Sequence, residues 1–328
     1  MTDLPQKSDL LKKMIWSVIL AIAVYTAIVF LSDAKEVGNA FSSISLYWIP
    51  LFLSLSLLNY LLRFFKWQYF LGRIDVHIPW KESLAVFVAG FSMTVSPGKL
   101  GELLKCYLLK DRRNIPVSRT SPVVVAERIT DLISMIFIAI IGLVLVKHRG
   151  AMIAVGAGIV FVLAVMIFLL WEKAFGFLTN FLCRIKAVEK HRESFERFHR
   201  NCSSLLDLKS LLISVPLGIL SWGAEALVLC LVSMSLGIEP GLSVGLALLA
   251  HSAGTIAGAV SMIPGGLGLT EITIGAILIT VMPEPDAAVT TLIMRFATLW
   301  FAVLLGIIVL WISNRKKDIP PSSIPARN

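Results

Sequence analysis

Two stretches decide how this chain reads: Ser96-Pro97-Gly98-Lys99-Leu100-Gly101-Glu102-Leu103-Leu104-Lys105 and Ile263-Pro264-Gly265-Gly266-Leu267-Gly268-Leu269-Thr270-Glu271. Both interrupt apolar runs with the pattern Pro-Gly-x-Leu-Gly, in which only Lys99 and Gly266 differ. A proline just after a small polar residue such as Ser96 marks a helix start, and Pro-Gly inside an apolar run breaks a helix. The ungapped offset that lays Pro97 on Pro264 also lays Arg128 on Arg295 and Leu132 on Leu299. In a chain with 22 glycines the pentapeptide alone is a weak signal. An offset shared with a rare intramembrane arginine is a stronger one, and it reads as an internal repeat of about 83–147 and 242–312.

The composition around these motifs sets the solvent. Of 328 residues, 57% are hydrophobic and 16% charged, with a mean hydropathy of +0.83. A soluble domain carries about 25% charge, so this chain cannot cover itself with polar groups in water. A secreted domain, a disordered chain and a cytosolic enzyme are excluded. The expected fold is an all-α polytopic membrane protein, one integral domain over 1–328. Apolar runs predict full spans near 14–31, 46–62, 122–146, 151–171, 211–236 and 287–312, about six in all. The run 83–95 is too short as a helix to cross a core of about 30 Å. The two broken elements are therefore expected to be re-entrant pairs, although fully crossing segments would also fit.

The net charge of +9 belongs to loops, not to a nucleic-acid footprint. With both termini cytoplasmic, most of the 30 Lys and Arg residues fall on the inner face, as the positive-inside rule requires. That places the protein in the cell's plasma or inner membrane as a multi-pass protein. The polar segment 172–209 puts Val188, Phe195, Phe198, Cys202 and Leu205 on one helical face and basic residues on the other. It is expected as an amphipathic cytoplasmic linker lying on anionic lipid or packing as a connector. Cys106, Cys183, Cys202 and Cys230 show no paired spacing and read as reduced thiols. The histidines form no metal-ligand pattern, and no cofactor is expected.

Three full spans separate the broken elements, so the two repeats face opposite sides of the membrane. Inverted repeats with discontinuous helices meeting at the midplane are a transporter design. Helix starts there present free N–H groups and a positive dipole end to an anion. Glu102, Glu127, Arg128, Asp131, Glu225, Glu271 and Arg295 fall in or beside apolar segments. Facing lipid, they would cost on the order of 20 kcal/mol together, so they must turn inward and pair. The candidate substrate-binding set is Ser96, Pro97, Gly98, Lys99, Gly101, Glu102, Glu127, Arg128, Asp131, Pro264, Gly265, Gly266, Gly268, Glu271 and Arg295.

The tracts SPGKLGELLK (96–105), ERITDL (127–132) and IPGGLGLTE (263–271), with the late Arg295, give the chain a family resemblance over roughly residues 12 to 315. It resembles the lysylphosphatidylglycerol synthase transmembrane-region family of flippase-like integral membrane proteins. The resemblance implies movement between leaflets of an anionic or aminoacylated phospholipid or a polyprenyl-phosphate-linked lipid, and no catalysis. The larger synthases add a soluble aminoacyl-transferase domain. This chain ends at Asn328, so only the translocating half is expected. The expected partner is a membrane lipid with a phosphate headgroup, with room for a lipid-modifying enzyme or a second copy of the chain. Two other readings stay open: a membrane enzyme using Glu127 or Glu271 as general acid/base on a lipid phosphate, and an accessory subunit of a lipid-modifying synthase. Against the enzyme, the sequence holds no serine-nucleophile motif and no metal-ligand cluster.

Overall fold

The computed structural model describes residues 34–96, 101–146, 151–182, 192–238 and 241–315, together with Ala23, Tyr25 and Thr26. Apart from those three residues, the expected first span lies outside the described residues. So do Pro97, Gly98, Lys99 and Cys183.

Among the described residues every regular element is helical. In chain order they are α1 (Ala34–Ser43), α2 (Ile49–Arg73), α3 (Trp80–Gly90), α4 (Leu104–Arg113), α5 (Val117–Val146), α6 (Ala151–Leu170) and α7 (Glu172–Leu182). Then follow α8 (Arg192–Leu205), α9 (Leu208–Ser235), α10 (Val244–Val260), α11 (Leu269–Leu278), α12 (Glu284–Arg295) and α13 (Phe301–Arg315). A single π-helical turn, Phe296–Trp300, joins α12 to α13. The helices Leu46–Arg73, Val117–Val146, Leu208–Ser235 and Glu284–Ser313 are long and apolar enough to cross a membrane. Helix α6 adds 20 residues without a charged side chain. The chain is a polytopic membrane protein.

The span expected to stop at Leu62 continues to Arg73. The aromatic run carries it: Phe64, Trp67 and Phe70 are fully buried, so helix and core continue together. Arg63 and Lys66 therefore lie inside a membrane helix and not in a basic flank.

The second expected break is present; at the first, residues 97–100 lie outside the described residues. Helix α3 has 11 residues and ends in a 3-10 turn, Phe91–Met93; the chain resumes as α4, of 10 residues. Helix α10 has 17 residues, or roughly 26 Å at 1.5 Å per residue, still short of the core thickness. It is followed by a 3-10 turn, Pro264–Gly266, and by the 10-residue α11. The second break needs its glycines, because Gly265, Gly266 and Gly268 have φ of 60°, 67° and 88°, where a Cβ is strained.

The two broken elements exchange partners. Helix α10 lies along α5, while α3 and its 3-10 turn lie along α13. Small residues permit both contacts. A Cβ on Gly142 would stand 2.8 Å from the Gly245 carbonyl, and one on Gly306 would stand 2.2 Å from the Ser92 amide nitrogen. Two apolar clusters hold the bundle. One gathers Phe64, Trp67 and Phe70 with Phe87, Leu109 and Val123. The other gathers Phe52 with Leu229, Leu249, Ile274 and Met294.

Helix α8 directs its apolar face at the protein. Cys202 and Leu205 are buried, α8 packs on α5, and the Asn201 amide donates to the Arg119 carbonyl. The described part of the linker is thus a docked connector, because α5 offers an apolar surface for that face to cover.

Candidate functional site

A cavity of about 70 Å³ opens where α2, α5, α9, α10, the second break and the last helix converge. Its wall carries Arg63, Arg128 and Arg295, the carboxylates Glu102 and Glu225, and His251. A second cleft, of about 270 Å³, is apolar, lined by Val124, Ile129, Met135, Phe161 and Val165 among others. The two share Arg128, Trp222, Thr255, Gly258 and Ala259. A polar chamber and an oily slot thus meet across one wall.

Nearly every intramembrane charge has a partner, as low dielectric demands. Lys66 donates to Asp131. Lys105 Nζ donates to Glu127 Oε2 at 2.5 Å and lies over the rings of Trp67 and Phe87. Glu127 and Asp131, one turn apart on α5, therefore each take a lysine from another element. Arg128 Nε stands 3.0 Å from Glu102 Oε2, and its Nη2 stands 3.2 Å from Asp131 Oδ2. Neither approach has hydrogen-bond geometry, so both nitrogens lack an acceptor among the described residues.

The second break satisfies itself. Arg295 Nε donates to Glu271 Oε1 at 2.6 Å, and its Nη2 donates to the Gly265 carbonyl at 2.7 Å. Glu271 Oε2 accepts from the Gly268 amide at 2.7 Å, which caps the start of α11. The helix start expected to receive an anion is thus occupied by its own carboxylate, and Glu271 stands behind Arg295, away from the cavity lining. At the first break, Ser96 Oγ accepts from the Gly101 amide at 2.6 Å. Of the sequence-derived set, Glu102, Arg128, Gly265, Gly266 and Arg295 line the cavity. Asp131 and Glu271 pair with its Arg128 and Arg295, whereas Glu127 pairs with Lys105, outside the lining.

Four cavity features were not in that set. Arg63 was assigned to a loop flank because a basic residue ends most apolar runs. The continuing Phe64–Phe65, Trp67 and Tyr69–Phe70 pattern was the available signal. Glu225 is held by Asn59, whose Nδ2 donates to it at 3.1 Å and to the Ser221 carbonyl at 2.9 Å. Trp222 and His251 carried no charge pattern to flag them.

Three relatives share this sequence at low identity. A UPF0104 membrane protein of Pyrococcus horikoshii is 26% identical over 278 residues, covering 76% of this chain and 82% of its own. A UPF0104 membrane protein of Methanocaldococcus jannaschii is 25% identical over 233 residues, covering 69% of this chain and 95% of its own. Glycosyltransferase AglD of Haloferax volcanii is 24% identical over 255 residues, covering 62% of this chain but only 38% of its own length. The family described as the lysylphosphatidylglycerol synthase TM region matches residues 18–306. That match takes in both broken elements and the whole cavity wall, and the chain belongs to this family.

Proposed function

We propose that the protein moves a phosphate-bearing lipid between membrane leaflets without altering it chemically. One observation carries the reading: the three-arginine chamber shares a wall with an apolar cleft, so a single site offers a charged pocket and a hydrocarbon slot. Arginine supplies planar donors suited to phosphate. The two broken elements, repeated at one offset, fit an inverted-repeat transporter whose chamber opens alternately to each side. In this reading both termini are cytoplasmic and the cargo is an anionic or aminoacylated phospholipid or a polyprenyl-phosphate lipid.

The enzyme reading is weaker because Glu127 and Glu271 are both engaged by cations and stand outside the chamber lining. The accessory reading draws support from the relative named a glycosyltransferase, in which a module like this one forms part of a longer chain. The deciding experiment reconstitutes the full chain in vesicles with a fluorescent phosphatidylglycerol. Leaflet exchange and lipid mass are then followed together. Exchange at unchanged mass is expected. A lipid whose mass changes only with wild-type protein would overturn transport in favour of an enzyme.

A further inference from the structure

We infer that Arg63, Trp222 and His251, with Arg128 beside them, form an oxyanion receptor in the chamber wall, and that a phosphoester is its ligand. The assignment rests on the lipid-transfer reading and names the groups that would hold the headgroup. The argument starts from donors without acceptors. Buried polar groups are paired in the great majority of cases, so a cluster of exceptions calls for an explanation. Trp222 Nε1 has no acceptor among the described residues; Arg128 Nε and Nη2 make no hydrogen bond there either, although they are ion-paired with Glu102 and Asp131. Both ring nitrogens of His251 are unpartnered, although the residue is only 2% exposed. All three residues line the same chamber.

Arg63 completes the set. Its guanidinium is half-buried and borders the chamber. It lies 5.5 Å from the Phe91 ring centre and 5.0 Å from that of Trp222. Aromatic faces hold a guanidinium while leaving its edge donors free. Arg295 differs, because its Nε and Nη2 donate to Glu271 and the Gly265 carbonyl. The neighbouring polar groups on α2 are also engaged, since the Tyr60 hydroxyl donates to the Thr298 carbonyl and Asn59 donates to Ser221 and Glu225. Trp222 links the receptor internally: it lies under Arg63 and its ring centre is 6.2 Å from that of His251. A neutral imidazole supplies one N–H, the indole another and Arg63 a planar fork. These are the donors a phosphate oxygen set requires.

The test measures retention of ligand by purified full-length protein using native mass spectrometry. The probes are dioleoylphosphatidylglycerol, dioleoylglycerol with the same chains but no phosphate, and inorganic phosphate alone. Wild type is expected to favour the phospholipid over the diacylglycerol by at least about tenfold, the worth of one charge-assisted contact. Arg63→Gln should abolish that preference. Trp222→Phe, which keeps the ring and removes only the N–H, should reduce it severalfold without changing the melting temperature in detergent. Arg113→Gln, at an exposed residue paired with Glu82 outside the chamber lining, should leave the preference intact. If Arg63→Gln and Trp222→Phe both retain the wild-type preference, or if wild type holds both lipids equally, the receptor assignment is overturned. Arg63-dependent binding of inorganic phosphate without retention of either lipid would keep the receptor and overturn its lipid source. Arg63-dependent retention in a protein that moves no lipid between leaflets would keep the receptor and sink the transport reading.

Discussion

At the scale of single residues, the cations in this membrane interior divide by how they are compensated. Arg295 is locked between Glu271 and the Gly265 carbonyl, so it closes the second break. Removing one member of such a pair leaves a buried charge alone, at a cost of about 3–5 kcal/mol. Arg295→Gln and Glu271→Gln should therefore each lower the detergent melting temperature sharply. The double variant should lose clearly less than the two losses combined, and strictly additive losses would show that the two side chains are uncoupled. A steric case sits one helix away. A Cβ on Gly258 would stand 2.1 Å from Thr270 Oγ1. Gly258→Ala should destabilise the junction of α10 and α11, and adding Thr270→Ala should restore part of the loss. Thermal unfolding of the single and double variants checks this, and no rescue would mean that the Gly266 backbone, 3.1 Å away, sets the limit.

At the scale of elements, the join between α8 and α9 is where polar chemistry outside the membrane sets a helix end. Asp207 caps α9, accepting from the Ser210 amide at 2.8 Å and pairing with Arg73 at 2.6 Å. Its carboxyl is held below the ordinary value of 3.8, first by the contacts with Ser210 and then by Arg73. A group whose folded pKa is depressed contributes stability above its unfolded value, and that stability is lost as the pH falls through the folded one. The contribution of Asp207 should thus be intact near neutrality and fade only below about pH 4. Asp207→Ala should cost about 0.5–2 kcal/mol at pH 7, and the gap to wild type should narrow on acidification. A gap that does not change with pH would mean the cap acts through shape alone. Nearby, burial pushes the Cys202 thiol up to about 12. Maleimide at pH 7.5 should leave Cys202 unlabelled in folded protein and react after denaturation, as peptide mapping would report.

At the scale of the whole molecule, the architecture predicts which surfaces face each side. Single cysteines at Gly241 and Asp286 should react with an impermeant maleimide from outside. Replacements at Arg112 and Arg192 should react only after the inner face is opened. Labelling of position 286 from the cytoplasm would remove the opposed orientation of the repeats on which alternating access rests. If each broken element is re-entrant, as proposed, its unsatisfied backbone must be buried in protein. The helix that closes one repeat packs on the first limb of the other.

Much of this protein was determined by local chemistry alone. Apolar length dictated membrane helices, and Pro-Gly within apolar runs dictated the two breaks. The offset from Pro97 to Pro264 singled out Arg128 and Arg295, which both line the chamber, because each of those signals is carried by consecutive residues or by simple repetition. Partnership was decided by tertiary structure. Lys66 meets Asp131 and Lys105 meets Glu127 across long stretches of chain. Such pairings depend on which helix faces come together, and no periodicity records that. Arg63 shows the difference most clearly. In the linear chain it is a basic residue at the edge of an apolar run. In the folded protein a buried aromatic strip extends the helix beyond it and turns its guanidinium over Phe91 and Trp222 into the chamber.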